Sequence, residues 1–130
     1  MTDTSIKILL VDDFSTMRRI IKNLLRKLGY QEVHEAENGE AALEMLKSDN
    51  FNFIIADWNM PKMSGLDLLK TMREDKKYKN TPFMMVTSEA NKDDIIEVIE
   101  AGADDYIVKP FNADTLQEKL VKILNQLVKT

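Results

Sequence analysis

Five residues able to do chemistry stand at the ends of short apolar runs. Asp12 and Asp13 stop IKILLV (6–11), Asp57 follows FNFIIA (51–56), Thr87 ends PFMMVT (82–87) and Lys109 ends DYIVK (105–109). If the first and third runs are paired strands, about 4.8 Å apart, the three carboxylates converge. Three anions at that range do not all stay ionised unaided. Either one carboxyl protonates, or a divalent ion accepts them as oxygen ligands and removes the repulsion. Magnesium suits such a set, because it takes a few carboxylates, keeps waters and leaves room for a phosphoryl oxygen. A calcium loop draws its ligands from one contiguous segment, and these acids come from distant ones. Lys109 can neutralise a phosphoryl oxygen while Thr87 donates a hydrogen bond to another. Asp57 then reads as a carboxylate nucleophile that accepts phosphate.

Each residue also has a plainer role. An acid after a strand commonly caps the next helix, which would serve for Asp57, for Asp12 or Asp13, and for Ser15. Thr87 alone is a β-branched strand residue, and Lys109 alone is a surface cation. Met60, Pro61 and Gly65 suit loop geometry at the wall of the site. His34, the single histidine, lies in a weak, edge-like stretch far from the acids and is read as structural. The methionines fall on strands (Met84, Met85) and helix faces (Met17, Met45, Met72), where they fill core space. Trp58 adjoins Asp57 in a loop and is expected to be partly exposed.

Positioning these groups is the task of the elements between them. Behind the first strand, Met17, Ile20, Ile21, Leu24, Leu25 and Leu28 recur at spacings of three and four, which predicts one buried face on a helix over about 15–28, stopped by Gly29. The pattern repeats: a weak strand at 32–36 and a helix over about 40–48, a strand at 51–56 and a helix over about 65–75, a strand at 82–87 and a helix over about 92–101, a strand at 105–109 and a helix over about 113–128. Five βα units of this kind need crossover connections, and so predict a parallel sheet with helices on both faces. Ligands of such sheets bind beyond the carboxyl ends of the strands, where the five residues stand.

Composition bounds the rest. With 130 residues, 44% of them apolar, the chain suits one domain with its own core. The absence of cysteine excludes disulfides and thiolate metal sites, and a cytoplasmic location is expected. No apolar run approaches the roughly 18 residues of a membrane span, and MTDTSIK does not resemble a signal peptide. A formal charge of -4 argues against a nucleic-acid surface. Lys76, Lys77 and Lys79 are read as a solvated turn.

The set VDD, ADWNMPKMSG, VTSEA and VKPF, in this order on five βα units, resembles the receiver domain of two-component response regulators, over nearly the whole chain. Through VDDFSTMRRIIKNLLRKLGY and DWNMP it is most similar to the stand-alone chemotaxis members. The resemblance, and not the spacing, implies the flavodoxin-like strand order 2-1-3-4-5. It also implies that Asp57 is the phosphoacceptor, that Asp12, Asp13, Asp57 and the Asn59 backbone carbonyl hold Mg2+, and that Thr87 and Lys109 bind the phosphoryl group. Thr87 and Tyr106 would form the switch, the Lys109-Pro110 bond would be cis, and Asn59 and Glu89 would tune self-dephosphorylation. The implied partners are a histidine kinase of chemotaxis type, a flagellar motor switch protein and a phosphatase. The chain is expected to act as a monomer, with no output domain after its last helix.

One inference needs no relative. At 100° per residue, Ile95, Ile96, Val98 and Ile99 cover an arc of roughly 160°, wider than the ~100° stripe that one core contact requires. Part of that surface should face outward, through a broad core face or a docking surface for an amphipathic helix. In the resembled family the docking positions correspond to Lys92, Ile95, Ile99, Tyr106, Val108 and Lys119. Three rivals stay open. A Mg-dependent phosphatase or phosphotransferase would also use an aspartyl-phosphate, but Asn59 replaces the second acid typical of such enzymes. An adaptor would keep the fold and ignore phosphate. A stand-alone relay would pass phosphate between histidine carriers or serve a non-flagellar partner.

Overall fold

Strands and helices alternate without exception in the computed structural model, which describes residues 5–88 and 91–128. In chain order they are β1 Lys7–Val11, α1 Ser15–Lys27, β2 Glu32–Ala36, α2 Gly39–Ser48, β3 Phe53–Asp57, α3 Gly65–Glu74, β4 Phe83–Thr87, α4 Lys92–Glu100, β5 Asp105–Val108 and α5 Ala113–Val128. All neighbouring strands pair in parallel, in the order β2-β1-β3-β4-β5. This is the flavodoxin-like doubly wound sheet that the family resemblance implied.

Strand alternation sorts the core into two layers. Ile8, Leu10, Phe53, Ile55, Met84, Val86 and Ile107 face one way and pack with Ile21 and Leu25 of α1 and Leu116, Leu120 and Ile123 of α5. Leu9, Val11, Ile54, Ala56, Phe83 and Met85 face the other way, against residues of α2, α3 and α4. β1, β3 and β4 are buried almost throughout, which explains their unbroken apolar runs.

Local signals end the helices. The Asn38 side chain accepts from Ala41 N at 2.7 Å to start α2, Ser64 and Asp67 form a capping box on α3, and Asn91 accepts from Asp94 N at 2.9 Å on α4. At the end of α1, Gly29 takes φ +101°, and the amides of Gly29 and Tyr30 return to the carbonyls of Arg26 and Leu25 at 3.0 Å each. That is a Schellman closure, sealed by the buried pair Leu25 and Tyr30.

Three sequence-based details need correction. Ile20 is 47% exposed, because it sits about 100° round α1 from Ile21. None of Asp12, Asp13 and Ser15 caps α1, whose N-cap is Phe14 without a side-chain bond. β3 starts at Phe53 and includes Asp57, while Thr87 ends β4 as the sequence places it. Both side chains therefore hang from ladder backbone, since Asp57 pairs with Val86 and Thr87 with Val108.

Candidate functional site

Because every strand runs the same way, Asp12, Asp13, Asp57, Thr87 and Lys109 meet at the carboxyl edge of the sheet. The backbone ties them together. Asp12 N donates to Ala36 O at 3.1 Å, Trp58 N to Val86 O at 2.9 Å, and Lys109 N to Thr87 O at 2.8 Å. The Lys109-Pro110 peptide is cis.

Gly65, the first residue of α3, makes a close approach possible. Its N–H donates to Trp58 O at 2.9 Å. A Cβ at this position would collide with the Asp57 carbonyl oxygen and lie 2.8 Å from Met85 Sδ. The loop between β3 and α3 reaches this contact through a turn in which Met63 N donates to Pro61 O at 2.8 Å, with Lys62 at φ +68°.

Asp12 and Asp57 are buried, at 2% and 7% exposure, and Asp13 is exposed. One carboxylate oxygen from each of the three lies within 4.8 Å of the others, so a single ion can be shared. Asp12 Oδ1 accepts from Phe14 N at 2.9 Å, whereas the buried Asp12 Oδ2 has no hydrogen bond and faces Lys109 Nζ at 3.5 Å. A buried carboxylate oxygen left in this way is costly, and a divalent cation would satisfy it. The donor set, all oxygen with one exposed member, fits a hard ion.

Lys109 Nζ reaches Asp57 Oδ1 at 2.8 Å. Burial pushes the Asp57 carboxyl above its ordinary range, and the charges of Asp12 and Asp13 push it the same way while the Lys109 hydrogen bond opposes them. Burial pulls the Lys109 amine down, but Asp57 and Asp12 outweigh it and leave the net shift upward. The ammonium is therefore held charged beside a carboxylate that is reluctant to ionise.

Around this centre, Trp58 is half-buried, as expected of it, and with Asn59, Thr87, Ser88 and Asp94 it lines an open polar hollow. Asn59 is exposed at that rim, and Glu89 lies outside the described residues. Ser88 and Asp94 carry no sequence signal of their own and enter only because the end of β4 and the start of α4 meet there.

The second group assembles on the β5 side. Tyr106, Val108, Phe111, Thr115 and Lys119 line a groove between β5 and α5, and α4 packs beside β5. Lys119 Nζ sits 4.8 Å from the centre of the Tyr106 ring and 3.1 Å from Asp105 Oδ1. Asp105, buried to 8% exposure, was not singled out in the sequence; its role emerges only through Lys119 from α5 and the amide of Tyr106, which it accepts at 2.7 Å. On α4, Val98 is buried, Ile95 half-buried, and Ile96 and Ile99 are 42% and 44% exposed; Lys92 is also exposed. The outward apolar surface expected of this helix is present. His34 stands on β2 with its ring edge-on to Phe51 at 5.5 Å and Nε2 3.2 Å from Glu32.

Residues 8–121 match the family model described as the response regulator receiver domain. The chain belongs to that family. Curated relatives include the chemotaxis protein CheY-3 of Vibrio cholerae, 56% identical over 95% of each chain, and the chemotaxis protein CheY of Pseudomonas aeruginosa, 56% identical over 93% of this chain and 98% of that one. Solved structures agree. V. cholerae CheY4 superposes with a TM-score of 0.86 at 38% identity, over 92% of this chain and 99% of that one. The signal receiver domain of a histidine kinase from Syntrophus aciditrophicus gives 0.87 at 28% identity, over 97% and 95%. As a receiver close to CheY, the protein is a phosphorylation-activated switch of a two-component system, a phosphoacceptor and not a conventional enzyme. Its acidic pocket can hold a metal ion. Among the described residues, no helix is long and apolar enough to cross a membrane.

Proposed function

We propose that this receiver accepts a phosphoryl group on Asp57 from a histidine kinase and, once modified, binds a partner through the surface of α4, β5 and α5. The observation that carries this reading is the buried Asp57 carboxylate held 2.8 Å from Lys109, with Asp12 and Asp13 close enough to share a cation. In the transfer, an Asp57 carboxylate oxygen forms a bond to phosphorus as the phosphorus–nitrogen bond of phosphohistidine breaks. The departing imidazole nitrogen keeps the electron pair and regains a proton.

Asp12, Asp13, Asp57 and the Asn59 carbonyl would hold Mg2+, which supplies charge neutralisation to the carboxylates and to the incoming phosphoryl oxygens. Lys109, already paired with the carboxylate, is placed to pair with a phosphoryl oxygen, and Thr87 donates its hydroxyl to another. Asn59 and Glu89 flank the site and tune the loss of phosphate. Thr87 and Tyr106 form the switch. Phosphate favours the state with both turned inward, and the signal passes only if the partner binds that state more tightly.

The output partner we propose is the flagellar motor switch, with a chemotaxis kinase upstream and a phosphatase opposing it, acting on a cytoplasmic monomer. The names of the curated relatives and the outward isoleucines of α4 support this. Lys92, Ile95, Ile99, Tyr106, Val108 and Lys119 would contact the partner.

Incubation with acetyl phosphate and Mg2+ should add one phosphoryl group per chain by mass spectrometry, and Asp57→Asn should abolish it. Labelling that survives the substitution removes Asp57 from this role. Ile95→Asp and Tyr106→Ala should weaken partner capture while leaving labelling intact.

A further inference from the structure

Arg18 occupies an unfavourable position for a cation. It lies in the first turn or so of α1, near the positive end of the helix dipole, in a helix with no acidic residue in its first turn and no side-chain cap. Its side chain is nevertheless largely buried, at 16% exposure. Two acceptors account for the placement. Nη1 donates to the carbonyl oxygen of Asp12 at 2.6 Å, and Nε donates to Glu35 Oε1 at 3.1 Å. Glu35 stands on β2 opposite Leu10 of β1, and its other carboxylate oxygen takes Lys22 Nζ at 3.2 Å.

The planar guanidinium sets the angle between its two hydrogen bonds, which a flexible ammonium does not. Glu35 therefore fixes where the other prong points, and that prong ends on the peptide joining Asp12 to Asp13. Both acids hang from this peptide. With its amide on Ala36 O, its carbonyl on Arg18 and Oδ1 on the Phe14 amide, Asp12 is fastened at three points. Only Oδ2 is left without a hydrogen bond.

We propose that Arg18 is a positioning residue for the cation site: steered by Glu35, it locks the Asp12-Asp13 peptide so that the free Asp12 oxygen and the Asp13 carboxylate are presented together to a divalent ion. Arg18 touches neither the ion nor the phosphoryl group. The inference rests on the metal reading above. Partners that orient metal ligands commonly carry about ten- to a hundredfold of metal affinity.

The test is a Mg2+ titration of the full chain without phosphodonor, followed by Trp58 fluorescence and by calorimetry, with deuterium exchange at the Phe14 amide in the metal-free protein. Arg18→Met and Arg18→Lys should each raise the Mg2+ Kd about tenfold, and Glu35→Gln should raise it by less. The Phe14 amide should exchange faster in Arg18→Met. Unchanged affinity in both Arg18 variants, with only a lower unfolding midpoint, would make Arg18 a strut between α1 and β2 and overturn the proposal. Full affinity in Arg18→Lys would overturn it too, by showing that charge alone suffices. If Arg18→Met does not fold, Glu35→Gln carries the test, because it leaves the Arg18 charge in place and removes the ion pair that steers the guanidinium. A wild-type chain that gives no signal with Mg2+ overturns the metal reading and this inference together, a result distinct from variants that merely match the wild type.

Discussion

The two edges of the sheet are built on opposite principles. At the amino edge polar groups find partners. Lys7 and Asn52 exchange hydrogen bonds at 2.7 and 2.8 Å, Asp104 Oδ2 accepts from Phe83 N at 2.8 Å, and Arg73 donates to the carbonyls of Gly102 and Tyr78 at 2.9 and 3.1 Å. At the carboxyl edge three carboxylates crowd together with one lysine facing two of them, and a buried oxygen of Asp12 has no hydrogen bond. The same ladders support both edges. One edge spends its polar groups on holding loops in place, and the other holds them ready for a ligand at a cost in stability.

The contrast can be broken most severely at Gly65. Gly65→Ala puts a methyl group into the Asp57 carbonyl and Met85, and should cost about 3 kcal/mol in urea unfolding while weakening Mg2+ binding. An unchanged midpoint would mean that α3 can back away freely. Next, Mg2+ at a hundred times its Kd should stabilise the wild type by about 2.7 kcal/mol. That gain should vanish in Asp57→Asn and persist in any amino-edge variant.

Arg73→Met, at the amino edge, removes charged donors from two part-buried carbonyls and should cost about 2 kcal/mol with the Mg2+ Kd unmoved. A shifted Kd would show that the edges are coupled. The finest effect concerns pH. The Asp57 carboxyl sits above its unfolded value of 3.8, chiefly through burial, so over that window the folded state binds more protons than the unfolded one. The metal-free protein should therefore lose stability relative to Asp57→Asn as pH rises from 3.8 through the raised value. Urea midpoints in chelator across that range check the sign, and a difference that grows with pH in the other direction would mean that Lys109 overcompensates burial.

Much of this was legible in the chain because the signals are local. Apolar runs, helical spacing and Gly29 placed every element to within about two residues, and the residues at the run ends are the ones that meet at the carboxyl edge of the sheet. Ile20 escaped, since a spacing rule counts neighbours and not the angle at which the sheet meets the helix. Asp105 escaped because nothing within β5 shows that Lys119, one helix away, will pair with it. Arg18 reads in isolation as one of several α1 cations, and only the fold brings Glu35 of the neighbouring β2 and the Asp12 carbonyl to it.

The sequence by itself determined which groups could react and which segments would carry them, because side-chain chemistry, capping and periodicity act over a few residues. The tertiary structure alone decided that acids 44 residues apart in the chain share one cation-sized space, that a buried oxygen of Asp12 goes without a hydrogen bond, and that Ile96 and Ile99, more than Ile95, are the isoleucines α4 turns outward. These outcomes depend on strand order and on the approach of one backbone to another. Such contacts are set by packing across the whole sheet and leave no mark on any short stretch of chain.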